Sequence, residues 1–209
     1  GMNQGWFGNA NVAGGTESRY SSNVMLNRFV ENSQFSLIGS ANNVNDQGFS
    51  GGGGRPRFRN SNGLTATKML GANFATQTDK LELGGSARYN FSDRDAISTN
   101  YSNSNSKGRN KNTNFNADFR LEWKPDTLTN IIFRPNFSYG KSDGYSISES
   151  GTFNEDPFNL VSNPNAFLNK VVWDSEDDPL KDIRVNASNS ESMSESKSLS
   201  ANASLQLNR

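Results

Sequence analysis

Between Arg109 and Lys141 two runs of strict alternation flank one short turn, a pattern that limits this part of the chain to antiparallel β structure. In the first run the odd positions are Phe115, Ala117, Phe119, Leu121 and Trp123, and the even ones are Asn114, Asn116, Asp118, Arg120 and Glu122. Successive side chains of a strand point to opposite faces, so this run is a strand with one apolar face. In the second run Thr129, Ile131, Phe133, Pro135, Phe137 and Tyr139 alternate with Asn130, Ile132, Arg134, Asn136 and Ser138, and only Ile132 breaks the pattern. Lys124-Pro125-Asp126-Thr127 between them has the punctuation of a tight reversal. An odd number of loop residues keeps odd facing odd, and predicts Phe119 opposite Phe133 and Leu121 opposite Ile131. Each arm of roughly 11 residues, at about 3.3 Å rise and about 45° tilt, reaches across the hydrocarbon core of a bilayer.

The mean hydropathy of −0.77 looks too polar for a membrane protein. In a barrel, however, alternate residues face lipid and a polar lumen, so the low average excludes only transmembrane helices. No run approaches about 18 apolar residues, and no signal peptide opens the chain, so an export signal is expected outside these residues. The 21 basic and 21 acidic side chains cancel, which argues against nucleic acid as a partner, because phosphate binding needs a basic face. With no Cys and no His, the chain lacks disulfides, thiol and imidazole catalysis and nearly all zinc or haem chemistry. Carboxylate pairs such as Asp93/Asp95 and Glu155/Asp156 have no partner constellation, so no enzyme is expected, and no cofactor.

The same alternation recurs along the chain. Trp6, Gly8, Ala10 and Val12 share a side, and after a loop at Gly14 to Glu17 so do Tyr20, Val24 and Leu26. A turn at Glu31-Asn32-Ser33 leads to Phe35, Leu37, Gly39 and Ala41. Residues 45–63, with four consecutive glycines and arginines at 55, 57 and 59, read as a long basic loop. A phosphate cradle would need a lysine and a following helix, which are missing there. Ala66, Leu70, Ala72 and Phe74 resume the pattern, Thr78-Asp79 turns it, and Leu81, Leu83, Gly85, Ala87, Tyr89 and Phe91 return it; Phe74 is predicted opposite Leu83 and Leu70 opposite Ala87. Residues 92–112 stay extended but lose the apolar face, and read as strands running past a membrane to a tip near Lys107-Gly108. Residues 142–182 read as the longest irregular loop, with a compact core drawn from Phe153, Phe158, Phe167 and Trp173. Its acidic run Asp174, Glu176, Asp177, Asp178 lacks the glycine and terminal glutamate of a calcium loop, so no metal is expected. Leu199, Ala201, Ala203, Leu205 and Leu207 close the chain on one face.

Short turns near residues 32, 79 and 126 alternate with the excursions at 45–63, 92–112 and 142–182. In an up-and-down meander alternate connections lie on the same rim, so the short turns and the excursions fall on opposite rims, the asymmetry of outer-membrane barrels. Phe35 and Trp123 lie near the short turns, and Tyr89, Phe91, Phe115 and Tyr139 lie toward the loops, as two interfacial aromatic girdles require. Gly and Ala recur on the apolar face, where a packed core prefers larger groups.

The segments NQGWFGN, FSLIGSANNVNDQGF, LELGGSARYNFSDRD and NADFRLEWKPDTLTNIIFRPNFSY resemble the first barrel strands of the outer-membrane β-barrel family related to TonB-dependent receptors. The resemblance covers most of the chain. It implies a stretch that starts after a plug and stops before barrel closure, with the TonB-contacting segment elsewhere, and it carries over no catalytic motif.

The expectation is therefore an all-β, antiparallel up-and-down meander, one partial β-barrel domain over residues 1–209 with about eight strands, located in the cell outer membrane. Its expected role is nutrient binding and uptake, with outer-membrane lipid, the inner-membrane TonB system and an unknown nutrient as partners. The expected lipid-facing residues are Phe74, Leu83, Phe119, Leu121, Trp123, Ile131, Phe133 and Phe137. The alternative is a soluble or surface-tethered β-sandwich, an adhesin-like or carbohydrate-binding module with Trp173, Phe158 and Phe167 as ligand contacts. Taken alone, an open sheet with a wide apolar face is expected to turn that face inward or to form homo-oligomers.

Overall fold

A computed structural model of the chain describes residues 4–44, 63–100 and 104–209. These residues form eight strands: β1 (Gln4–Gly14), β2 (Tyr20–Val30), β3 (Ser33–Asn42), β4 (Leu64–Gln77), β5 (Leu81–Asn100), β6 (Ser104–Trp123), β7 (Asn130–Phe153) and β8 (Arg184–Asn208). Two 3-10 turns (Pro157–Asn159 and Pro164–Phe167) and one turn of helix, α1 (Lys170–Trp173), lie between β7 and β8. All eight strands belong to one antiparallel sheet in sequence order, open at β1 and β8. The up-and-down meander is thus the observed fold, and the two-sheet sandwich is not. The basic loop at 45–63 lies, but for Gly63, outside the described residues.

Parity is as expected everywhere, but two registers differ from expectation by two residues. Leu121 pairs with Phe133 and Trp123 with Ile131, in place of Phe119 with Phe133 and Leu121 with Ile131. The cause is the turn, where Asp126 Oδ1 accepts the amides of Leu128 at 2.9 Å and Thr129 at 2.7 Å and holds residues 124–129 as a wider loop. Those bonds also keep the Asp126 carboxyl below the usual carboxylate range. The ladder skips Phe119 and Arg120, opposite Arg134 and Pro135, so the proline that cannot donate sits at an interruption. Likewise Phe74 pairs with Gly85 and Leu70 with Tyr89, rather than with Leu83 and Ala87. Here the Thr78 amide donates to Leu81 O at 2.7 Å and the Leu81 amide to Thr78 Oγ1 at 3.1 Å, which centres the reversal on Asp79-Lys80.

Two boundaries also move. Lys107 and Gly108 are not a tip: they pair with Ile97 and Ala96 inside β6, and the connection 101–103 lies outside the described residues. The irregular segment begins not at 142 but after Phe153, because residues 142–153 continue β7 and pair along β8. Their outward positions carry Tyr145 and Ile147 among polar residues, too sparse an apolar signal to read as a strand.

The sheet has a polar and an apolar face, and burial on the polar one is concentrated at a few positions, while Asn114, Asn116 and Asp118 on it are exposed. Asn27, Ser40, Asn42 and Glu122 on the polar face are buried, whereas Leu70 on the other face is 54% exposed and Phe137 38%. The polar face is termed concave and the apolar face convex, as in a barrel wall with a polar lumen. The expected inward turn of the apolar face is not what the chain does; its Ser, Asn and ion-paired side chains satisfy one another on the inside instead.

Gly85 shows how packing can require a glycine. Gly85 lies beneath Phe74 and Phe119, whose rings meet at 6.1 Å between centroids. A Cβ there would come within 2.9 Å of the Phe74 ring, 3.0 Å of Asp118 O and 3.3 Å of the Phe119 ring. Gly85→Val is expected to cost about 1–3 kcal/mol through displaced rings. Gly84→Ala, whose Cβ would meet only Phe74 O at 3.7 Å, is expected to stay within about 0.5 kcal/mol. Urea unfolding in detergent, followed by Trp fluorescence, distinguishes the two.

Candidate functional site

Register turns the eight strands into rows that cross the whole sheet. On the convex face one such row reads Ala10, Val24, Gly39, Leu70, Tyr89, Phe115, Tyr139 and Leu199. The next row toward the short turns reads Gly8, Leu26, Leu37, Ala72, Ala87, Ala117, Phe137 and Ala201. Below it Phe74, Gly85 and Phe119 share a row, then Leu83, Leu121 and Phe133, then Trp123 and Ile131. All eight residues expected to face lipid therefore lie on one surface. The charge within these rows is Arg28, in the row of Trp6, Phe35, Phe74, Gly85 and Phe119, with its guanidinium 5.1 Å from the centre of the Trp6 ring.

Along β5 the apolar positions run from Leu81 to Phe91, about 33 Å of strand at about 3.3 Å per residue. A tilt of about 40° turns this into a band about 25 Å tall, the height of the apolar belt of outer-membrane barrels. Trp123 stands at its short-turn margin, and Tyr89, Phe115 and Tyr139 form one row toward the other. Phe115 and Phe137 meet at 5.9 Å, so the aromatics pack laterally across strands.

Charge begins one row past the aromatics, at Lys68, Lys141 and Lys197, which share a row with Phe91 and Thr113. In the row beyond stand Asp93, Lys111, Asp143 and Glu195. Arg109 grips Asp93 with two bonds, Nε at 3.0 Å and Nη2 at 2.6 Å, and holds that carboxyl below its ordinary range. Lys197 Nζ lies 2.6 Å from Glu195 and Lys141 Nζ 3.0 Å from Asp143. The long strands β5 to β8 thus leave the apolar band as a sheet covered by paired charges.

Across β5 to β8 the concave face is built from hydroxyls, amides and ion pairs, while on β1 and β2 it carries the stacked Phe7 and Phe29 rings. Ser138 and Ser200 meet at 2.6 Å, Ser142 donates to Asn112 at 2.7 Å, and Ser86 donates to Asp118 at 2.5 Å. Near the short turns Arg120 bridges Glu82 at 2.8 Å and Glu122 at 2.5 Å, and Glu122 also takes Lys124 at 3.3 Å and Asn130 at 3.0 Å. Higher on the same face, Arg88, Asn90, Asn112 and Asn114 line a hollow of about 160 Å³. In the sequence these residues show only as the polar side of alternating strands, and nothing in the spacing sets them together.

The three aromatics expected to contact ligand lie in the cap between β7 and β8. Trp173 donates its indole N–H to Phe167 O at 3.1 Å, and the Arg184 guanidinium lies 5.7 Å from the centre of its ring. Trp173 and Phe167 are half-buried, and Phe158 is exposed on the first 3-10 turn. The structure brings Trp173 and Phe167 together by that bond; it records no ring contact of Phe158 with either. In the acidic run, Asp174, Glu176 and Asp177 are exposed, while Asp178 is buried and ion-paired with Arg184.

No protein-family model matches the chain, and no curated protein matches it.

Proposed function

We propose that this chain is part of the wall of an outer-membrane β-barrel, of the kind related to TonB-dependent receptors, that binds and takes up a nutrient. The observation that carries the reading is the convex face: successive rows of apolar residues across all eight strands, many of them exposed, interrupted by Arg28 over the Trp6 ring, with most polar side chains on the concave side. Water gives no account of such a face, since soluble monomers rarely expose contiguous apolar patches beyond a few hundred Å² (about 300–600 Å²). Lipid does. The alternation of three reversals at residues 31–32, 78–80 and 124–129 with the far longer cap at the opposite rim supports an outer-membrane orientation, short turns inward and loops outward. Coupling to TonB and nutrient uptake rest on the resemblance of the strand segments to that family.

Light scattering and circular dichroism with and without mild detergent test the lipid-facing reading. Large assemblies that become monodisperse only with bound detergent are expected. A monomer in plain buffer, unchanged by detergent, would refute it. In outer-membrane vesicles, external protease is expected to reach the cap at residues 154–183; a protected cap would reverse the orientation.

A further inference from the structure

We infer that the hollow around Arg88 on the concave wall is a binding site for an anionic, hydroxyl-rich solute, an acidic oligosaccharide in chemical class. This deepens the proposed uptake function and rests on it for the direction in which the concave face points, toward the lumen.

The argument is one of unused donors. Arg88 offers five N–H groups in a planar fork suited to a carboxylate. Its hydrogen bond is Nη2 to the thioether of Met69 at 3.2 Å, a weak acceptor that leaves most of the fork free. The hollow is also lined by Lys68, Asn90, Ser92, Asn112 and Asn114, and no carboxylate is among its lining residues. The carboxylates of the concave strand face, Glu82, Asp118 and Glu122 among the described residues, all lie toward the short turns. Each already has a partner there: Arg120 for Glu82 and Glu122, Ser86 for Asp118. Arg88 is therefore a cation without a counter-ion, and the other charge of the lining, Lys68, is positive as well. The Asn90 and Asn114 amides have no side-chain partner among the described residues, and each offers two donors and an acceptor, which suits the vicinal hydroxyls of a sugar. A peptide's apolar side chains would find no match on this lining, where Met69 and the edge of Phe91 are the apolar members.

The full chain in mild detergent, titrated calorimetrically with trigalacturonate and with neutral maltotriose, tests the assignment on the wild type, Arg88→Gln and Arg88→Lys. Trigalacturonate is expected to bind the wild type more tightly than maltotriose, to lose about tenfold or more in affinity on Arg88→Gln, and to keep part of it on Arg88→Lys. The side-chain amide signals of Asn90 and Asn114 are expected to shift on binding. Equal affinity for the two sugars, no binding of trigalacturonate, or an Arg88→Gln protein that binds it undiminished with its strand dichroism intact, overturns the inference. The two readings fail separately. A chain that is monomeric without detergent but binds trigalacturonate through Arg88 loses its membrane and keeps its site, while one that needs detergent and ignores the sugar does the reverse.

Discussion

In lipid vesicles, arginine in place of Ala117 is expected to cost the folded sheet about 2–4 kcal/mol, whereas arginine in place of its neighbour Asn116 is expected to cost no more than about 1 kcal/mol. The two positions are one residue apart on β6 and differ only in face. Ala117 lies between Ala87 and Phe137 in the middle of the apolar band, so a guanidinium there has no route to water shorter than half the band. Asn116 is exposed on the concave side between Arg88 and Ser138, where its substitute meets water, hydroxyls and one like charge, a repulsion of about 0.2–1 kcal/mol. Urea titration of the protein folded in lipid vesicles, read by the heat-dependent shift in gel mobility, gives both values. Equal costs would mean that the convex face does not meet hydrocarbon.

The faces were legible in the sequence because side-chain period in a strand is two and survives any error in where a strand ends. Phe119, Leu121 and Trp123 reach the convex face whether or not their partners are known. Register was not legible to the same depth, since it depends on how many residues a turn absorbs. Asp126 and Thr78 decide that through side-chain bonds to backbone amides and carbonyls that no periodicity encodes. Strand length was misjudged for a related reason. Above the aromatic row both faces of β5 to β8 are polar, and a two-sided polar ribbon such as Ser142 to Ser150 has no hydrophobic contrast from which to infer pairing. What holds it as a strand is the ladder, with charge pairs across it, Arg109 with Asp93 and Lys141 with Glu195. The Arg88 hollow was illegible because its members come from separate strands, and only the register sets Asn90 opposite Asn114.

The cap between β7 and β8 will open when its buried charge is left alone. Asp178 is wholly buried, accepts the Leu180 amide at 3.0 Å, and pairs with Arg184, itself only 10% exposed. Arg184 in turn lies on Trp173, and Leu168 and Leu180 complete a core with no exposed surface of their own. Leu168 also presses on β7, where a Cβ at Gly151 would come within 2.8 Å of it. Asp178→Ala strands the guanidinium in that core, a loss of about 3–5 kcal/mol by the general cost of an unpartnered buried charge. The rest of the sheet does not share those contacts, so the damage stays local. Hydrogen exchange across residues 154–183 is expected to rise sharply while that of β5 and β6 is unchanged. The double substitution Asp178→Leu with Arg184→Met removes both charges and is expected to restore much of the protection, because apolar replacements of similar volume avoid the desolvation cost that the pair had to offset. If the double variant exchanges as fast as the single one, the cap is held by the particular bonds of Asp178 to Leu180 and of Arg184 to Trp173 rather than by the neutralisation of charge.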